Sequence, residues 1–194
     1  MKHGLRAISI TLGAWSCGTA PATAPSPLAA TLDAEERAVI AAVLDREMGT
    51  APFIVVADST DAPPVAAGWS PYVHGWAQVD PSALDEMLRD YTARNRLAAP
   101  LPPDLPTTRP AHVYPEREVL RFNQIDRFTE LRRTFPGVRS FYWVSRPGFD
   151  AARRTAIVHT EVACQGMCGQ TALVVLKRGA HGWRVEGAGV LMEV

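Results

Sequence analysis

The sequence predicts an α+β domain, with N-terminal helices packed on a C-terminal antiparallel meander sheet of four or five strands. Two observations carry this prediction. Helical periodicity is confined to the chain before Pro136, whereas the residues after it form strand-like runs joined by short connections. The runs Thr155–Ala163 and Thr171–Lys177 also flank two cysteines, Cys164 and Cys168, with three residues between them. That spacing suits a hairpin tip.

The first residues read as an export signal. Lys2 and Arg6 form a basic start, Ala7–Trp15 is an uncharged and mostly apolar run, and Ala20-Pro-Ala22 suits signal peptidase. Such a run is about half the length needed to span a bilayer, so no transmembrane segment is expected. We assign 1–24 to the signal, 25–32 to a Pro/Ala-rich linker and 33–194 to a single domain. The expected location is periplasmic or secreted. A lipid anchor through Cys17 is the alternative, although Ala14 in place of a leucine three residues before the cysteine and the bulky Trp15 two before it do not suit lipidation. Loss of Lys2 and Arg6 takes the balance from 20 basic and 20 acidic side chains to 18 against 20, a net of −2. Nothing in that charge attracts nucleic acid.

The elements follow in order. Asp33 with Glu36 forms a capping-box pattern, and Val39, Ile40, Val43, Leu44 and Met48 recur at helical steps until Gly49. Phe53–Ala57 is rich in β-branched residues and reads as a strand that Asp58–Asp61 ends. Residues 62–79 lack periodicity and read as a loop. Asp80-Pro81 then starts a second helix, with Leu84, Met87, Leu88 and Tyr91 on one face, fading near Asn95. Leu97–Pro115 contains six prolines and reads as irregular. Arg117–Asn123 alternates enough for a short strand, and Asp126–Phe135 reads as a helix closed by Pro136-Gly137. Arg139–Ser145, Thr155–Ala163, Thr171–Lys177 and Gly182–Glu186 supply four strands, with turns at Pro147-Gly148 and Gly179–Gly182. Val190–Val194 is the candidate fifth. Both parities of Thr171–Lys177 are apolar, which predicts a central strand covered on two sides. Helices are the cover expected on one side, and a pocket or a partner on the other.

The cysteine pair has three readings. A redox motif of the thioredoxin kind needs two intervening residues and a helix N-terminus, and this pair has neither. A zinc site needs further ligands at close spacing, and His74, His112, His159 and His181 show no such pairing. A Cys164–Cys168 disulfide in an oxidising compartment is the expected one. Chain-entropy arithmetic for so short a loop gives it about 2 kcal/mol.

Ser145-Arg-Pro-Gly-Phe-Asp150, Thr155–Val158, Cys164-Gln-Gly-Met-Cys-Gly169 and Gly182-Trp183 together resemble the C-terminal half of an uncharacterised family of exported bacterial proteins. Its members carry a Ser-Arg-x-Gly-Phe-Asn/Asp turn, a two-cysteine hairpin and a final Gly-x-Trp strand; Gln165 stands here where a glycine is usual. The resemblance implies export and fold but no catalytic residues. The order of helices then meander is also similar to the cystatin-like cone of nuclear transport factor two, a fold-level analogy that names no function.

No phosphate-binding glycine loop, metalloprotease helix motif, nucleophile elbow or dinucleotide fingerprint is present in the sequence. No cofactor or metal is therefore expected. The remaining candidates are surfaces. Trp69, Tyr72, His74 and Trp76 stack on a ligand or fold back on the core. Arg146 and Asp150 bind a ligand or hold a turn by local hydrogen bonds. His159 and Glu161 share a strand face, as an acid/base pair in a pocket or as a solvated polar face. The reading favoured is a non-catalytic binding or accessory domain of the cell envelope, with a protein or small-molecule ligand. A small hydrolase or isomerase is the alternative. His159 separates them: a solvated ring titrates near its ordinary value of about 6.5. A buried ring displaced by two units counts toward the enzyme.

Overall fold

The computed structural model describes residues 30–61, 73, 79–120, 124–164 and 168–193. Among these are four helices, α1 (Ala34–Met48), α2 (Pro81–Arg94), α3 (Glu116–Leu120) and α4 (Gln124–Thr134). The strands are β1 (Ile54–Ala57), β2 (Ala111–Tyr114), β3 (Ser140–Val144), β4 (Gly148–Phe149), β5 (Thr155–Cys164), β6 (Cys168–Gly179) and β7 (Gly182–Glu193). The α+β class is as the sequence predicts.

Local chemistry fixes the helix ends. Asp33 Oδ1 accepts from the amides of Glu35 and Glu36, and Glu36 Oε2 accepts from the Asp33 amide at 2.8 Å, which completes the capping box. Gly49, at φ +48°, ends α1 in a conformation that favours glycine. Asp80 caps α2, with Pro81 in its first turn.

The sheet is open, seven-stranded and mixed, in the order β2-β1-β3-β5-β6-β7, with β4 paired to β5 beyond the end of β3. β1 is parallel to β2 and to β3, whereas β3, β5, β6 and β7 run antiparallel. The expected meander is therefore one half of a larger sheet, and the cystatin-like cone has no counterpart in it. Several boundaries are corrected. The proline-rich segment contains β2, because Pro110 and Pro115 bracket a proline-free four-residue stretch that pairs at a sheet edge. Of the strand expected over 117–123, residues 121–123 lie outside the described residues and 117–120 belong to α3, which follows Pro115, whose carbonyl accepts from Glu118 N at 3.0 Å. Pro147-Gly148 is no turn: Gly148 and Phe149 pair with Ile157 and Ala156. The two last runs are one strand, β7, in which Gly187 and Gly189 pair with Val175 and Leu173 and two register shifts against β6 leave Glu186 and Leu191 outside the register.

Helices cover both faces, not one. On the first, Val39 and Val43 of α1 pack with Phe149, Ala156, Val158, Val174 and Leu176, while Ile40 and Leu44 pack with Ile54, Val56 and Val144. On the second, Leu84, Met87 and Tyr91 of α2 pack with Ile157, Leu173 and Val175. Phe128 and Leu131 of α4 join Val55, Phe141 and Trp143 on that same side. β5 divides as its parity predicts, Ala156 and Val158 toward α1 and Ile157 toward α2.

The segment Ser145–Asp150 locks these layers together. Gly148 lies against α2 so closely that a Cβ there would sit 2.2 Å from the Met87 carbonyl oxygen and 2.5 Å from Tyr91 Cβ. Backbone cannot yield to a methyl group at such a distance. Gly148→Ala is expected to cost about 3 kcal/mol, by displacing α2 from the sheet. Urea unfolding checks this, and an unchanged midpoint would contradict the close approach.

Candidate functional site

The polar strand face lies near the carboxyl ends of β1, β2 and β3. His159 is buried, with 3 % of its surface exposed, and burial holds its pKa down at about 4. It is no solvated side chain, and the ring meets the displacement that counts toward an enzyme. Its backbone N–H donates to Ser145 Oγ at 2.9 Å, and Ser145 N donates to the His159 carbonyl. The serine thus contacts the main chain of His159, in the manner of a sheet staple. Tyr91 hydrogen-bonds to Ser145 from α2, and burial raises its pKa, with Asp61 adding to the rise.

Glu161 is exposed, as the sequence reading has it. Desolvation raises its pKa first, and the negative charges of Asp61 and Glu116 raise it further. Trp143 stands opposite Glu161 across the strands and donates from Nε1 to Glu116 Oε1 at 2.8 Å. Glu116 N in turn donates to Asp58 Oδ1 at 3.1 Å. The sheet thus brings His159 and Glu161 to one face beside three further carboxylates, an acidic rim over a neutral imidazole. Among the described residues no cluster of His, Cys, Asp and Glu has the geometry to hold a metal ion.

Arg146 and Asp150 part company. The main chain breaks between β3 and β4 at Ser145–Pro147, and the break aims Arg146 at α1. Its Nε and Nη2 both lie 2.9 Å from Glu36 Oε1, and Glu36 is buried. Arg94 Nη1 lies 3.4 Å from the same oxygen. This is a long-range ion pair that ties α1 and α2 to the sheet, not the local turn bond expected. Asp150 does hold a turn, accepting from Arg154 N and Thr155 Oγ1, each at 2.7 Å. The hub beside it is Arg153, at φ +50°, which reaches Asp33 Oδ2 at 3.0 Å and stacks 4.2 Å from the Phe149 ring centroid. The motif quoted above is thus a structural clamp.

Cys164 and Cys168 are opposed in register at the end of the β5–β6 ladder. Trp69, Tyr72, His74 and Trp76 lie outside the described residues, as does Cys17.

A second place was not visible in the sequence. At the amino ends of β1 and β3, below the C-terminal end of α1, lies a cleft of ≈ 500 Å³. One wall is Glu47–Ile54, the other is Gly137–Ser140 with Tyr142. The first wall is braced from behind. Thr108 donates to Asp45 Oδ1 through both N and Oγ1 at 2.8 Å, and the Arg109 guanidinium donates to the carbonyls of Gly49 and Ala51. Burial raises the Glu47 pKa against the opposing effect of Arg46, which donates to it at 2.7 Å. Desolvation raises Tyr142 as well, the Glu47 charge adds to it, and a hydrogen bond with Ser140 opposes both. Arg139 is exposed and forms no ion pair with any described residue. Side chains from two segments far apart in the chain make this cleft, so no local motif signals it.

No family model, no curated protein and no solved structure matches the chain. The resemblance to exported proteins therefore rests on the residues quoted for it.

Proposed function

We propose that the protein is a non-catalytic ligand-binding domain of the cell envelope, exported by its N-terminal signal, with its ligand in the cleft between Glu47 and Tyr142. The observation that carries this reading is the cleft itself: ≈ 500 Å³ is ordinary for small-molecule sites, and its lining mixes polar side chains such as Glu47, Arg139 and Tyr142 with apolar ones such as Met48 and Phe53. Its bracing by Arg109 and Asp45 supports a site formed before the ligand arrives, which limits the ordering cost of binding. Export rests on the basic start, the apolar run and the small residues that follow it. A Cys164–Cys168 disulfide belongs to the same proposal, and it is supported by the register that sets the two residues opposite each other at the end of the β5–β6 ladder. A lipid anchor at Cys17 is the alternative form of export.

The second reading is a small hydrolase or isomerase at the polar face, and the buried ring of His159 is what favours it. Its pKa of about 4 meets the displacement that counts toward this reading, although a base so displaced is a weak one at neutral pH. Ser145 Oγ accepts from the His159 backbone amide, which supports a structural role for the serine.

The test is a thermal-shift screen of small polar metabolites on the wild type and on Ala51→Trp, which fills the cleft. Ligands that raise the melting temperature of the wild type are expected to leave the variant unmoved. Equal shifts in both proteins would place the ligand elsewhere.

A further inference from the structure

Polar atoms that the fold leaves without a partner line both walls of the cleft. On the first, Arg46 takes only Oε1 of Glu47, at 2.7 Å, and Oε2 accepts from no described residue. The exposed Thr50 hydroxyl has no partner among the described residues either. On the second wall, Arg139 presents donors for which the described residues supply no acceptor. Tyr142 and Ser140 hydrogen-bond to each other, and each hydroxyl keeps capacity for a further bond. Phe53, half-buried, adds an aromatic ring that is held in place. His112 meets it with centroids 5.3 Å apart and stacks on Phe135 at 5.0 Å. The charges favour no ion. Glu47 is already paired with Arg46, so a cation gains little from it, and Arg139 opposes one. An anion suits Arg139 but meets the Glu47 carboxylate, whose charge reaches Tyr142: burial raises the Tyr142 pKa first, and that charge raises it further.

We infer that the cleft takes a neutral polyhydroxyl ligand, a sugar, whose hydroxyls donate to Glu47 and accept from Arg139 while one face of the ring rests on Phe53. The inference rests on the cleft being the binding site. A hydroxyl both donates and accepts, so one uncharged molecule serves the acceptor of one wall and the donors of the other. Hydroxyls project all round a sugar ring and reach the two walls from opposite sides of it, so Glu47 and Arg139 need not lie close together. Hydrogen bonds to charged groups are stronger than neutral ones, which makes these two side chains the main determinants of affinity. The C–H groups on a pyranose face are apolar and pack on an aromatic ring. A cleft of ≈ 500 Å³ leaves room for the ring and for water on its remaining hydroxyls.

Calorimetry on the full chain tests this with glucose, galactose and mannose, each beside its 2-amino sugar and its uronate. At least one neutral sugar is expected to bind at millimolar concentration or below, with its amino and uronate derivatives at least fivefold weaker. Added salt should leave the affinity of the neutral sugar within twofold, because no ion pair forms. Glu47→Ala and Arg139→Ala should each weaken that sugar by fivefold or more, whereas an ion would depend on only one of them. Both side chains reach the surface, so neither variant threatens the fold. If an amino sugar or a uronate matches its neutral parent, the sugar assignment is overturned while the cleft stands as a binding site. If the neutral sugar binds equally to Ala51→Trp, the ligand lies elsewhere and the cleft reading falls with it. Absence of heat with all three neutral sugars at millimolar concentration also overturns the inference, and the metabolite screen then decides whether the cleft binds anything.

Discussion

Glu36→Gln is expected to lower stability by about 3 kcal/mol, among the largest effects of any charge change in the protein. Glutamine keeps the size of the side chain and an oxygen for the Asp33 amide, so the capping box survives. What disappears is the charge at the centre of a buried network. Glu36 is 1 % exposed and the Arg146 side chain 11 %. Arg146 is held from its main chain as well: its N–H donates to Asn95 Oδ1 at 2.8 Å, and its carbonyl accepts from Asn95 Nδ2 at 2.9 Å. The guanidinium therefore cannot swing out to water without breaking the link between α2 and the β3–β4 junction. Removing one partner leaves the other buried and uncompensated, which costs more than the pair contributes over two apolar residues. Replacing both, Glu36→Gln with Arg146→Met, should restore part of the loss. The double-mutant cycle by urea unfolding measures it, and a coupling energy near zero would mean that the pair does not act as a unit.

Acid should destabilise the protein through His159. Its folded pKa of about 4 lies below the unfolded value of about 6.5. The unfolded chain therefore takes up the proton first as pH falls. The stability associated with the neutral ring is fully present above about pH 6.5 and is lost on the way down to about pH 4. At that lower limit the loss amounts to roughly 3 kcal/mol. Glu47 and Glu161, whose pKa values are raised in the fold, oppose it, since each gains stability as it protonates. His159→Gln should flatten the slope between pH 6.5 and pH 4, even though it also lowers stability at neutral pH. Parallel curves for variant and wild type would show that burial of this ring is not what makes the fold acid-sensitive.

Much of the secondary structure was legible because periodicity and capping agree. Asp33, Glu36 and Gly49 fix α1 as their chemistry requires, and the parity of Thr155–Ala163 divides its side chains correctly between the two faces. Strand order was not legible. β1 pairs in parallel with both β2 and β3, and neither partner adjoins it in the chain, so nothing local records the pairing. β2 was hidden by the prolines that bracket it. The same reason explains the misreading of the polar residues. His159 alternates as a solvated side chain would, but α2 crosses above it and buries it. Arg146 looks like a turn residue, yet its partner lies 110 positions away in α1. The cleft was the least visible of all, because its charges come from a helix end and from a strand entry that meet only in the folded chain.

Binding is proposed at the amino ends of β1 and β3, away from the polar face. Amide chemical-shift mapping on the isotope-labelled protein, with a metabolite that raises its melting temperature in the thermal-shift screen, separates the two places. The shifts are expected to concentrate at Glu47–Ile54 and at Val138–Tyr142, with the residues around Asp61, Ser145 and His159 unmoved. Shifts confined to Asp58, Glu116, His159 and Glu161 would contradict it and would return the search for function to the buried histidine.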